Sequence, residues 1–332
     1  DRNRGRNYDL RFVTDKLEIT PRPITLTAVS ASKIYGDADP TFAVTASPSG
    51  ASVGLATTAN GNVVNDSLAD VTGVIGRQSG QNVGTYDLVL GSGDDAGSKV
   101  GNYDITLVPD NNAFEITKRE ITVIANDRRK TYGEELILGN TQFTLSSSTP
   151  LAFNEQVTDV ALASAAGVAA DVSANKGTYA QNITASNAVG TAGFDVNNYD
   201  IQYVAGDLAI DPLAITITAA AQTKVYGDSD PVLSYKSDVS LVPGDKFSGG
   251  LSHAGDENVG TYAILRNGLS IDDNNGGANY TIRFVGNDLA ITKRPITLTA
   301  VSAAKTYGDL DPTFAVTASS SGDSVGLATS DN

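Results

Sequence analysis

Cysteine, methionine and tryptophan are absent from the 332 residues, and histidine occurs once, at His253. Without cysteine no disulfide can staple a small domain, so packing and strand pairing must hold each unit together. A single histidine leaves no partner for a Ser/His/Asp triad or a multi-histidine metal centre. Positive charge is scarce: 23 Lys and Arg against 38 Asp and Glu give a formal charge of −15. That balance disfavours nucleic acid and anionic membranes as partners. No apolar run is long enough to span a bilayer, and no signal peptide is evident.

What the chain has is repetition. An Ile-Thr-x-Thr-like strand followed by Lys-x-Tyr-Gly occurs four times, with identical spacing from Ile24 to Tyr35, Ile121 to Tyr132, Ile215 to Tyr226 and Ile296 to Tyr307. The copies start 97, 94 and 81 residues apart, which is domain-sized and far beyond a solenoid period. Arg22–Thr57 and Arg294–Thr329 align without a gap and agree at 31 of 36 positions. The stretch before the first copy keeps the same offset, since Asn7–Val13 matches Asn279–Val285. The chain is therefore expected to be an excerpt of a longer array. Its parts are 1–20, the end of a preceding repeat; 21–118, 119–212 and 213–293, three repeat domains; and 294–332, the start of a following one.

Within a copy, Ile24, Leu26 and Ala28 alternate with Thr25 and Thr27, the period of a half-buried strand. Tyr-Gly-Asp-x-Asp-Pro follows at Tyr35, Tyr226 and Tyr307, while the second copy reads Tyr132-Gly133-Glu134-Glu135. Gly, Asp and Pro make this a turn. A Gly-Thr-Tyr strand start comes next (Tyr86, Tyr179, Tyr262), then Asn-Tyr and a further strand (Asn102, Asn198, Asn279), then a closing Leu-x-Ile-Thr or its equivalent. The Gly-Thr-Tyr element suggests a tyrosine corner. Tyr86, Tyr179 and Tyr262 are expected in cores together with Ile24, Ile121, Ile215 and Ile296. The predicted fold class is all-β: an elongated tandem array of small β-sandwich or β-grasp-like domains. The Ala-rich stretch 161–172 is read as strand or loop.

The joints carry no Gly/Ser tether. Ile116-Thr-Lys-Arg-Glu-Ile121, Ile210-Asp-Pro-Leu-Ala-Ile215 and Ile291-Thr-Lys-Arg-Pro-Ile296 run from one copy straight into the next. Such joints are expected to restrict swivel and to give a stiff or gently curved rod.

Length varies in the middle of each copy, a place where loops can be tolerated or can bind. Acidic groups recur in turns: Asp37 and Asp39, Asp94-Asp95, Asp110-Asn111-Asn112, and Asp272-Asp273-Asn274-Asn275. They offer calcium-type oxygens, yet turns use Asp and Asn without any metal, and no EF-hand pattern is present. The expectation is no cofactor, with calcium as the alternative. Repetition of the same acids argues against a converging catalytic pair, so the chain is read as a non-enzyme with no catalytic, cofactor-binding or metal residues assigned. Lys33, Lys130, Lys224 and Lys305, with Asn102, Asn198 and Asn279, supply the partners of an intramolecular isopeptide bond. Lysine stems lying along strands are the plainer reading.

Lys-x-Tyr-Gly-[Asp/Glu], Val-Gly-Thr-Tyr, Asn-Tyr-x-[Ile/Leu] and Leu-x-Ile-Thr-x-Arg-Pro-Ile-Thr together resemble the YDG/MBG-type repeats of large bacterial surface adhesins. These are of the filamentous-haemagglutinin-like, two-partner-secreted and biofilm-matrix kinds. The resemblance implies an extracellular, cell-surface stalk that projects a remote binding region in cell adhesion. Polysaccharide or neighbouring cells would be engaged outside this segment, with no nucleic acid and no membrane insertion within it. The alternative is a multivalent module that binds carbohydrate or matrix polymer weakly through its variable middles.

Overall fold

The computed structural model describes residues 2, 4, 6–58, 64–92, 94, 96–108 and 113–328. The architecture is a tandem array of small, nearly all-β repeats, each made of paired short sheets.

In residues 21–118 the strand Arg22–Ala28 lies between Val44–Ala46, antiparallel, and Tyr103–Val108, parallel, with Ile24 opposite Ile105. The chain then enters a second sheet. Ala31–Ile34 runs parallel to Phe114–Thr117, with Lys33 opposite Ile116, and Gly84–Tyr86 closes the other edge antiparallel. Alternation accounts for the sides: Ile24 and Leu26 are buried while Thr25 and Thr27 face outward or sit at the margin, as a pleated strand requires.

The later copies keep this register. Lys130 lies opposite Ile210 and Lys224 opposite Ile291; Tyr179 pairs with Leu208 and Tyr262 with Leu289, as Tyr86 does with Phe114. Constant motif spacing is thus constant strand register. The fourth copy repeats the first hairpin, with Leu298 opposite Ala318 as Leu26 is opposite Ala46. Ile296 is 42% exposed where Ile24 is 2% exposed. Its expected core position fails because no parallel strand like Tyr103–Val108, which covers Ile24, pairs with this copy among the described residues.

Two compact units form, one from 1–123, 145–160 and 187–202, the other from 124–144, 161–186 and 203–332. These packing units are out of phase with the sequence repeats. In the first unit one core gathers Ile24, Leu26, Val44, Val71 and Tyr103. A second gathers Tyr35, Phe114 and Ile116 with Ile121, Ala152 and Tyr199 of the following repeat. In the other unit Ala219, Ile264 and Leu289 pack with Leu233, Leu251 and Phe284.

One helix departs from the strand reading. Leu68–Thr72 is capped by Ser67, whose hydroxyl accepts from the Asp70 amide at 3.2 Å while the Asp70 carboxylate accepts from the Ser67 amide at 2.9 Å. This capping box holds the Asp70 carboxyl down at about 2, chiefly through the Ser67 backbone N–H. Residues 161–164 finish the strand Gln156–Ser164, and Ala165–Gly167 form a 3-10 turn.

Candidate functional site: the joints between repeats

The Lys-x-Tyr-Gly tyrosine leaves the end of its strand and points into the next repeat. Tyr35 is 3% exposed and its hydroxyl donates to Glu155 Oε1 at 2.6 Å. Tyr199, of the following Asn-Tyr strand, donates to the other oxygen of Glu155 and accepts from the Ala152 amide at 3.0 Å. The two rings meet edge to face, with centroids 5.5 Å apart, an arrangement that aromatic quadrupoles favour. The next joint is built alike. Tyr132 and Tyr280 both donate to Asp245 Oδ2, at 2.9 and 2.6 Å, Tyr280 accepts from the Val242 amide, and the rings cross at 5.4 Å.

Burial, then the facing carboxylate, shifts these phenols. Tyr35 and Tyr132 are each pushed up to about 12, and Tyr199 and Tyr280 are raised further. At neutral pH all four stay protonated and serve as donors.

The glycine after the tyrosine has a steric reason. Gly36 adopts φ +88°, and a Cβ there would collide with the Cβ of Ala152. Gly133 is at φ +90°, and its Cβ would lie 2.8 Å from Val242 Cγ2. Only glycine combines that backbone with that approach.

Asparagines form the second contact. Asn198 accepts from the Val83 amide at 2.9 Å and donates to Asn82 Oδ1 at 3.1 Å; Asn279 does the same to Lys176 and Asn175, both at 2.9 Å. The Asn82 and Asn175 carbonyls also receive the hydroxyls of Tyr86 and Tyr179, at 2.7 and 2.8 Å. This is the tyrosine corner, and it abuts the joint. Tyr86, Tyr179 and Tyr262 are therefore half-buried corner residues, on an edge strand in the first repeat and on interior strands of four-stranded sheets in the next two, and not the core residues the sequence suggested. Arg119 adds a third contact, donating to the Tyr35 carbonyl at 2.6 Å and pairing with Asp37.

The repeated lysines secure the loop behind the corner. Lys33 Nζ meets Asp39 at 2.7 Å, the Asp37 carbonyl and Gln81. Where Asp39 has no counterpart, Lys130 donates to the carbonyls of Val168, Ala169 and Asp171, and burial lowers its pKa. Lysines and asparagines thus serve different contacts.

The acidic candidates divide in the same way. Asp39 is held by Lys33 and Arg77, each at 2.7 Å. Asp273 accepts from the amides of Asn275, Gly277 and Asn279, and Asp272 lies 3.3 Å from Lys246. Asp95, Asp110, Asn111 and Asn112 fall outside the described residues. A grouping missed from sequence is Asp230, His253 and Glu257, with His253 Nε2 3.1 Å from Asp230 and 3.7 Å from Glu257. The Lys224 ammonium touches both carboxylates and supplies the counter-charge. The His253 pKa is raised by the Ala254 carbonyl and then by Asp230.

Tandem hardware of this kind agrees with what comparison finds. No curated protein matches the chain. A family model described as MBG domain (YGX type) matches three times, at residues 24–112, 121–209 and 215–290. The Tyr-Gly corner is the docking point of each joint, and with these three matches the chain belongs to the YGX-type MBG domain family.

Proposed function

We propose that this chain is a structural stalk or spacer segment of an extracellular bacterial adhesin, holding a distal binding region away from the cell in adhesion and biofilm formation. The observation that carries the reading is the joint: Tyr35 and Tyr199, from successive repeats, share Glu155 inside one apolar core. A spacer gains from domains that pack on one another without flexible tethers, since a slack linker transmits neither position nor force. The acidic surface and the lack of cysteine suit an exported chain. Most recurrent tyrosines are engaged in joints or corners, which leaves few aromatic faces for stacking on sugars.

Small-angle scattering of the chain, with and without calcium, together with pull-down on bacterial exopolysaccharide, tests the reading. Expected are a maximum dimension of about 100 Å or more, insensitive to calcium, and no retention on polysaccharide. A dimension matching a single compact globule contradicts the spacer role. Saturable retention supports the carbohydrate-binding alternative.

A further inference from the structure

The receiving half of a joint is also present on the first repeat, where no corner fills it among the described residues. The Ala56 amide donates to the Tyr103 hydroxyl at 3.0 Å, and that hydroxyl donates to Asp66 at 2.7 Å. Ala152, Tyr199 and Glu155 are arranged in this way, as are Val242, Tyr280 and Asp245. Asp66 is 7% exposed, but no Lys-x-Tyr-Gly tyrosine reaches it among the described residues. Its second oxygen takes the Lys99 ammonium at 2.6 Å. Beside it opens a cavity of about 300 Å3 lined by Ile19, Arg22, Asp66, Lys99, Asn102 and Tyr103.

Two further side chains mark the same surface. Asn198 and Asn279 are buried at 1% and 0% and bond across their joints, whereas Asn102 is exposed and its side-chain amide pairs with nothing among the described residues. Arg294 bonds in two directions: to Gly326 within its own copy, and back to the Tyr226 carbonyl and Asp228. Among the described residues Arg22 makes only the inward set, led by the Gly54 carbonyl at 2.8 Å. The backward partners of Arg294 show what such an arginine receives.

We propose that Arg22, Ala56, Asp66, Asn102 and Tyr103 form a docking surface for the Tyr-Gly-Asp corner of another YGX-type repeat, of the kind at Tyr226–Asp228. The incoming tyrosine hydroxyl replaces Lys99 on Asp66, the glycine packs on Ala56, and the aspartate takes the outward side of Arg22. The asparagine ahead of that repeat's Gly-Thr-Tyr, equivalent to Asn258, meets Asn102. The occupant resembles the third repeat because Asn7–Val13 matches Asn279–Val285. The inference stands on the joints and is independent of the stalk reading.

A chain in which residues 213–293 are joined ahead of Arg22 tests it. Since no native cysteine interferes, Asn258→Cys in the added repeat and Asn102→Cys form a clean reporter pair, with Thr45→Cys, on an exposed strand position, replacing Asn102→Cys as control. Circular dichroism and amide spectra identify samples in which all repeats are folded. Expected is near-complete disulfide formation for the 258/102 pair, little for 258/45, and a loss of the 102 cross-link on adding Gly227→Val in the added repeat. Equal cross-linking of both pairs, or free thiols in the folded 258/102 chain, overturns the proposal. Should Asn102→Cys fail to fold, the Asn102 side-chain NH2 resonances of the unsubstituted extended chain decide: protection from exchange supports docking, and free exchange refutes it.

Discussion

Tyr35 and Tyr199 belong to different sequence repeats, yet their rings cross at 5.5 Å and their hydroxyls end on the two oxygens of Glu155. Tyr132 and Tyr280 cross in the same way and meet at Asp245, both donating to its Oδ2. A buried carboxylate is costly unless its oxygens are satisfied, and here two phenols from two repeats are needed. The joint is therefore complete only when both neighbours are folded.

Gly36→Val is expected to destabilise the chain by about 2–4 kcal/mol. It adds the strain of a side chain at φ +88° to a collision with Ala152. Gly139→Val is the control, since that glycine also has positive φ but an open Cβ direction. Urea unfolding should show the larger loss for Gly36.

Alkaline titration should weaken the joints. Tyr35 and Tyr132 lose their protons near 10 when unfolded and at about 12 when folded. As pH rises past 10 the unfolded chain releases protons that the folded chain keeps, so stability falls through the window from 10 to 12. It is fully present below 10. Tyr35→Phe combined with Tyr132→Phe should flatten that fall in a plot of urea midpoint against pH.

Tyr86→Phe removes the hydroxyl that reaches the Asn82 carbonyl at 2.7 Å while keeping the ring against Phe114 and beneath Arg77. A loss of about 1 kcal/mol is expected in denaturant unfolding. Tyr86→Ala should cost more, yet less than truncating a full core aromatic at about 3–5 kcal/mol, because the ring is only half-buried.

Lys130→Met leaves three carbonyls, those of Val168, Ala169 and Asp171, without their shared donor. About 1–3 kcal/mol should be lost. The loss should respond less to salt than that of an ion pair, because the ammonium bonds carbonyls while the carboxylates of Asp171, Glu134 and Glu135 act on it without a hydrogen bond among the described residues. Lys224→Met breaks contacts to Asp230 and Glu257, both well exposed, and its effect should shrink as salt rises.

Much of the fold was legible from local rules. Alternation at Ile24-Thr25-Leu26 gave strands, Asn102-Tyr103 gave a strand start, and equal spacing became equal register. Tyr86 was rightly seen as a corner but wrongly as core, because its hydroxyl turns back to the Asn82 carbonyl and holds the ring at the margin of the core, a placement invisible in sequence. Tyr35-Gly36 was read as a turn; that Gly36 also clears space for Ala152 depends on a contact between distant residues. Glu155 carried no signal, since the joint acid varies between Asp66, Glu155 and Asp245 and its distance from the motifs shifts with loop length. The helix at Leu68 was missed although Ser67 and Asp70 have capping-box spacing, with Asp replacing the usual Glu or Gln.

A double-mutant cycle on Tyr35→Phe and Glu155→Gln tests the central claim most directly. The chain is unfolded in urea as wild type, each single variant and the pair, with tyrosine fluorescence and amide exchange reporting on the first unit. A shared, buried hydrogen bond predicts a coupling of about 0.5–3 kcal/mol and loss of protection on both sides of the joint. Strictly additive effects, with each repeat losing stability alone, would contradict the account.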